Sequence, residues 1–189
     1  MLERRRSIRG IGIVWRLNFW GVAVVLTLRA LLSFVSMIKV GQEFPKFALP
    51  NQDNQTMKLS DFGGKWVVVF VYPKDDTPGC TLEGRGFSAA KAEFDSANAV
   101  VLGLSEDDVE SHKNFCNKFS FTIPLLADPQ ASLLNALGIT QSEWKGTKYW
   151  DRTTFLVDPK GVVRKVYANV KPEGHEREVL RDVQSMQGI

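Results

Sequence analysis

Cysteine is nearly missing from this chain: Cys80 and Cys116 are the two in 189 residues. Two are too few for a disulfide scaffold, and without a C-x-x-C there is neither a zinc ribbon nor a thioredoxin-type dithiol. Histidine is as scarce, and His112 and His175 form no cluster with the cysteines at metal-ligand spacing. Clustered positive charge is lacking from most of the chain. Residues 1–36 hold six arginines (Arg4, Arg5, Arg6, Arg9, Arg16, Arg29) against Glu3, a net +5. The whole chain carries +3, which leaves −2 for the remainder. A mildly acidic domain without a lysine- or arginine-rich stripe argues against nucleic acid as a partner. Internal repeats and low-complexity linkers are absent too, and the length suits one domain with a proper core.

The first 36 residues differ from the rest. A basic head leads into Leu17 to Ile38, an apolar run interrupted by Asn18 and Arg29. Three readings are open. The run has the length of a membrane anchor with its N-terminus inside, although an arginine near mid-membrane is costly. A cleaved signal peptide is a second reading, but no small-x-small site follows and Arg5-Arg6 is a feeble twin-arginine hint. In the third, translation starts at Met37 and the preceding residues are upstream sequence or a dispensable extension. The expected organisation is an N-terminal extension, 1–36, and a domain, 37–189. The protein is expected in the cytoplasm, or at the inner membrane if residues 17–38 anchor it.

From Met37 onward the pattern is α/β. Residues 44–49 and 56–59 read as short strands around a polar turn, and Trp66 to Tyr72 is a continuous apolar run typical of a central strand covered on both faces. A helix is expected from Thr81 to about Ala97, with Phe87, Ala90 and Phe94 on one face and Gly84 and Gly86 weakening its first turns. A buried strand, 99–105, precedes a helix from Asp107 to Phe119 that starts on capping acids. Ile123 to Ala127 contains a proline and reads as a strand near an edge, and Asp128-Pro129 opens a helix to Leu137. Thr153–Val157 and Val162–Tyr167 flank Asp158-Pro159-Lys160-Gly161, a strong hairpin signal, and Glu173 to Gln187 closes the chain as a helix. This order suggests a central mixed sheet with helices on both faces and a final hairpin, as in thioredoxin-like folds.

The chemistry concentrates at Cys80. A buried strand ends at Pro73, a polar turn follows, and the cysteine stands where a helix should begin. The first helical turn offers unpaired N–H groups and the positive end of the dipole, which favour a thiolate. Thr77 could hydrogen-bond the sulfur or a bound oxygen, and Pro73, lacking an N–H, could wall a small dry pocket. Arg152, just before Thr153-Thr154-Phe155-Leu156-Val157, is the candidate for a fixed cation. Glu83 reads as a dipole or salt-bridge partner, His112 and His175 as solvated helix-surface residues. Trp144, Tyr149 and Trp150 read as packing, or as the rim of a pocket or docking surface.

Pro73-x-x-x-Thr77-x-x-Cys80, with Arg152 before a Thr-Phe-Leu-Val strand, resembles the peroxiredoxins. The fuller run Tyr72 to Thr81, with the start Met37-Ile38-Lys39-Val40-Gly41, is similar to the bacterioferritin comigratory protein branch, and the resemblance covers about residues 37 to 187. It implies a thiol peroxidase acting on hydrogen peroxide or organic hydroperoxides through a Cys80 sulfenic acid. Thr77 and Arg152 would hold the peroxide oxygens, and Pro73 would shield the sulfenic acid. No metal, haem or flavin is implied, and the resemblance leans towards a monomer. Many members of this branch carry a resolving cysteine five residues after the first, where this chain has Arg85. A subset places it in the following helix, so the role is carried to Cys116. Both segments would then unwind to form the disulfide, helped by Gly84 and Gly86, and thioredoxin would reduce it.

Other readings stay open. Cys116 shares a helix face with Val109 and Phe119 and could be a core residue. The enzyme would then use one cysteine and an external thiol. A non-enzymatic redox sensor or holdase would use the same oxidation, and a thiol-disulfide oxidoreductase is disfavoured by the missing C-x-x-C.

Overall fold

The structure, a computed structural model, describes residues 36–188. The expectations for the N-terminal extension therefore fall outside the described residues. Five strands form one sheet: Trp66–Val71 (β3), Ala99–Ser105 (β4), Leu125–Ala127 (β5), Thr153–Val157 (β8) and Val163–Ala168 (β9), in the order β5-β4-β3-β8-β9. β3, β4 and β5 run parallel, while β8 pairs antiparallel with both β3 and β9. Ala48–Pro50 (β1) and Thr56–Lys58 (β2) make a separate two-stranded ladder, as do Gln141–Trp144 (β6) and Thr147–Trp150 (β7). This is the thioredoxin-like mixed sheet expected from the element order.

β3 lies at the centre because both of its faces are apolar. Val68, Phe70 and Tyr72 point to one side, where they pack with Phe87, Phe115 and Cys116, and with Val179, Leu180 and Val183. Val67, Val69 and Val71 point to the other, against Phe44, Phe47, Leu133, Leu134 and Leu137. Each such side chain removed from water contributes roughly 1.5–3 kcal/mol, so this strand is the firmest place in the domain from which to suspend a site. β5 stands at the sheet edge; just before it the Pro124 carbonyl accepts from the Gly103 N–H of β4 at 2.9 Å, and the missing proline N–H costs no ladder bond there.

The helices are Pro78–Ala89 (α1), Lys91–Ser96 (α2), Val109–Phe119 (α3), Ser132–Ala136 (α4) and His175–Gln187 (α5). Four sequence expectations need correction. The helix expected from 81 to 97 begins three residues earlier, with Pro78 supplying the fixed φ of a first position, and divides at Ala90. The helix expected from 128 starts at Ser132, because the buried Asp128 carboxylate accepts the N–H groups of Ser132, Leu133 and Leu134 and sets the start there. β6 and β7 were expected only as an aromatic segment; they turn at Lys145-Gly146, both at positive φ. His112 and His175 are buried rather than solvated. His112 bonds Asp75 and the Leu126 carbonyl, and His175 bonds Thr154 Oγ1 at 2.9 Å, so each ring is satisfied inside the protein.

Gly84 serves packing, and Gly86 does not. A β-carbon on Gly84 would stand 2.6 Å from the Phe121 ring, whereas on Gly86 it would meet the movable end of Glu176. Gly84→Ala is therefore expected to lower stability by about 1–3 kcal/mol despite the better helix former. Gly86→Ala is expected to be neutral within about 0.5 kcal/mol. Urea unfolding of both variants checks this, and equal effects would contradict it.

Candidate active site

β3 ends at Val71, and Tyr72 and a bend at Pro73 lead through a polar turn into α1. Thr77 is the N-cap with extended backbone, followed by Pro78, Gly79 and Cys80 in the first turn. The first α1 ladder bond from this end runs from the Thr81 N–H to the Thr77 carbonyl at 2.9 Å. The N–H groups of Gly79 and Cys80 thus precede the ladder and lie at the positive end of the helix. The Thr77 hydroxyl donates to the Lys74 carbonyl at 3.2 Å, not to the sulfur. Pro73 is half-buried beside this turn.

Arg152 reaches Cys80 through the sheet. Antiparallel pairing sets Val71, the last residue of β3, opposite Thr153, the first of β8. The residue before Thr153 must therefore lie at the edge from which α1 departs. Arg152 Nη2 donates to Cys80 Sγ at 3.3 Å, and its Nη1 donates to Glu83 Oε2. Glu83 shares the inward face of α1 with Cys80, Gly84 and Phe87, and is 1% exposed. Its Oε1 has no hydrogen-bond partner among the described residues. Burial pushes the Glu83 carboxyl up to about 7; Arg152 opposes that shift and Glu176 adds to it. Burial works against the Arg152 charge, but the Glu83 carboxylate and the Cys80 sulfur outweigh it and hold the guanidinium above its ordinary range. The expected salt-bridge role of Glu83 fits this geometry. Its partner, Arg152, is 69 residues away and could not be read from the local sequence.

Cys116 lies on α3, in the same apolar cluster as Cys80. Both thiols are free and buried. Burial above all, then the charges of Asp75 and Asp53, push the Cys116 thiol up to about 12. Arg85, where many relatives were expected to carry a cysteine, stacks over the Phe119 ring at 5.0 Å. A groove of about 480 Å³ runs alongside, lined by Asp76, Pro78, Thr81, Leu82, Arg85 and Phe119. A more enclosed apolar cavity, of about 400 Å³ and including Phe47, Leu59, Phe62 and Val67, lies at the opposite end of β3 and is remote from the thiol.

A lone thiol at a helix start, on a thioredoxin-like sheet and facing a fixed guanidinium, defines a thiol-based redox enzyme. The AhpC/TSA family model matches residues 40–166. The chain is 36% identical over 156 residues to peroxiredoxin Bcp of Bacillus subtilis, covering 79% of this chain and 97% of that protein. A cysteine-to-serine mutant of Xylella fastidiosa PrxQ superposes with a TM-score of 0.77 at 34% identity, over 80% of this chain and 99% of that one. The Xanthomonas campestris bacterioferritin comigratory protein, solved in a study of its alkyl peroxide reduction, gives 0.70 at 37% identity, over 74% and 91%. The chain belongs to the AhpC/TSA family and, within it, to the Bcp/PrxQ peroxiredoxins, which are thiol peroxidases.

Proposed function

We propose that Cys80 is the peroxidatic nucleophile of an antioxidant peroxidase that reduces hydrogen peroxide and organic hydroperoxides, and that residues 37–189 are the unit that does so. The observation that carries this reading is the 3.3 Å contact between Arg152 Nη2 and Cys80 Sγ, with Arg152 braced by the buried Glu83. The guanidinium and the helix start favour the thiolate. The thiolate attacks one peroxide oxygen, the O–O bond breaks, and the sulfur becomes a sulfenic acid. The leaving oxygen departs as alkoxide or hydroxide and takes a proton to become alcohol or water. Arg152 stabilises the charge that develops on that oxygen. Thr77, its own proton engaged by the Lys74 carbonyl, accepts a hydrogen bond from the peroxide OH. Pro73 offers an apolar wall with no N–H to bind water.

Cys116 then resolves the sulfenic acid as an intramolecular disulfide, and thioredoxin or a similar dithiol reduces it by exchange. The enzyme works as a monomer in the cytoplasm. Among the described residues, no helix is long and apolar enough to cross a membrane. A second reading, in which an external thiol attacks the sulfenic acid directly, draws support from the buried Cys116 thiol, held up at about 12 and so protonated in this conformation. Peroxide consumption by the full chain, coupled to thioredoxin and its reductase, separates the two. Cys116→Ser is expected to lose thioredoxin-driven turnover while keeping one oxidation event per chain. A Cys116→Ser protein that cycles normally would assign Cys116 to the core and favour the external thiol.

A further inference from the structure

The turn that delivers Cys80 is held by a buried polar cluster that the chemistry above does not use. Asp75 lies five residues before Cys80 and is buried. Its carboxyl group accepts from Tyr72 Oη at 2.8 Å and Ser111 Oγ at 2.7 Å, and is hydrogen-bonded to His112 Nδ1 at 2.8 Å. His112 is fully buried, and its Nε2 donates to the Leu126 carbonyl at 3.1 Å. One histidine thus ties the turn to β5 through the helix that bears it. The Asp75 N–H donates to Asp107 Oδ2 at 2.9 Å, and at the surface Lys118 Nζ reaches Asp76 Oδ2 at 2.5 Å. Ser111, His112 and Lys118 all belong to α3, the helix of Cys116, and His112 lies one turn before that cysteine.

We propose that the Asp75–His112 pair is a latch between the two cysteine-bearing segments: it positions the turn 73–77 for peroxide reduction, and it must open before Cys116 can reach Cys80. The inference rests on the reading of Cys116 as the resolving cysteine. A disulfide needs Cα atoms within about 7 Å, and bringing Cys116 to Cys80 means unwinding the part of α3 that includes His112. Parting the pair inside the core strands a carboxylate with unmet hydrogen bonds, so the latch opens only as α3 and the turn reach water together. The same carboxylate quiets the resolving thiol. Burial, reinforced by Asp75, keeps Cys116 protonated while α3 is folded, and unwinding removes both influences. The freed thiolate then attacks the sulfenic sulfur of Cys80. The S–S bond forms as the S–O bond breaks, and hydroxide leaves as water with the proton that Cys116 gave up. No further oxidant is required.

Two measurements on the full chain test the latch. Stopped-flow fluorescence with hydrogen peroxide separates sulfenic acid formation from disulfide formation. Mass spectrometry at rising peroxide gives the fraction of Cys80 driven on to sulfinic acid. Asp75→Asn and His112→Gln should each slow the first step and speed the second, by about tenfold, and should lower the sulfinic fraction. The double variant should add little to either single change, as for two halves of one contact. Val163→Ala, which loses core packing on the other face of the sheet, should lower stability and leave both rates near the wild type, so a shift confined to the cluster variants separates the latch from a general loss of stability. If either core variant fails to fold, Ser111→Ala and Lys118→Gln each remove one tether and should shift both rates the same way by about two- to threefold. Unchanged disulfide formation in the folded variants, while the wild type forms the Cys80–Cys116 bond, overturns the latch. A wild-type chain that never forms that bond overturns the assignment of Cys116 first, and the latch with it.

Discussion

Cys80→Ser is expected to reduce peroxide consumption to the buffer background, a loss on the order of 10⁴-fold or more, the scale seen when an enzyme loses its covalent nucleophile. A serine hydroxyl is not ionised near neutral pH and forms no stable product with a peroxide oxygen. The second thiol offers no substitute, because Cys116 is buried and its thiol is pushed up to about 12 by that burial and by Asp75 and Asp53. The folded domain should survive the change, since serine occupies less space than cysteine and adds a hydroxyl that Arg152 can meet. Circular dichroism establishes that the variant is folded, and peroxide consumption with excess dithiothreitol as the reductant removes any dependence on a protein partner. Turnover by a folded Cys80→Ser protein would sink the mechanism. A stoichiometric first oxidation in Cys116→Ser, absent in Cys80→Ser, would place the sulfenic acid at Cys80.

The part of this site closest in sequence was the part most readable. Pro73, Thr77 and Cys80 lie within eight residues, and a strand, a turn and a helix start can each be read from local residue types. Arg152 is 72 residues away; its place just before an apolar strand and the family resemblance made it a candidate, but that the strand pairs with β3 and so brings the arginine to the thiol is seen only in the fold. The histidines show where local reading stops. His112 follows Asp107, Asp108, Glu110 and Ser111 at the start of an amphipathic helix, a context that looks solvated. What buries it is Asp75, 37 residues earlier, and the carbonyl of Leu126, neither of which a helical pattern can anticipate. Gly84 is a similar case. Read alone it is a weak helix residue, and only the ring of Phe121, folded back from beyond α3, explains why no side chain fits there. The β6–β7 hairpin was hidden for another reason: its outer positions are exposed, so the alternation that marks a half-buried strand is missing.

Arg152→Met is expected to slow the reaction of Cys80 with peroxide by about 10²–10³-fold, the cost of removing a donor aimed at developing charge. Arg152→Lys should recover little of this. One ammonium cannot direct separate N–H groups at Glu83 and at the sulfur in a fixed plane, as the guanidinium does. The role of Glu83 can be separated by pH. Its folded-state carboxyl is raised from 4.5 to about 7, chiefly by burial. A raised folded-state value means that the native protein binds this proton more tightly than the unfolded chain does. The resulting stability is fully present below about pH 4.5 and is lost as the pH rises through about 7. Glu83→Gln lacks that proton, so its stability relative to the wild type should improve from pH 5 to pH 8, as measured by urea unfolding at each. Parallel stability curves for the two proteins would show that the carboxylate is not held up in the folded state. The same substitution should weaken the brace on Arg152 and cost about tenfold in the peroxide step. A site built this way spends some stability near neutral pH on a desolvated carboxylate, and in return the guanidinium that faces Cys80 is fixed before any peroxide arrives.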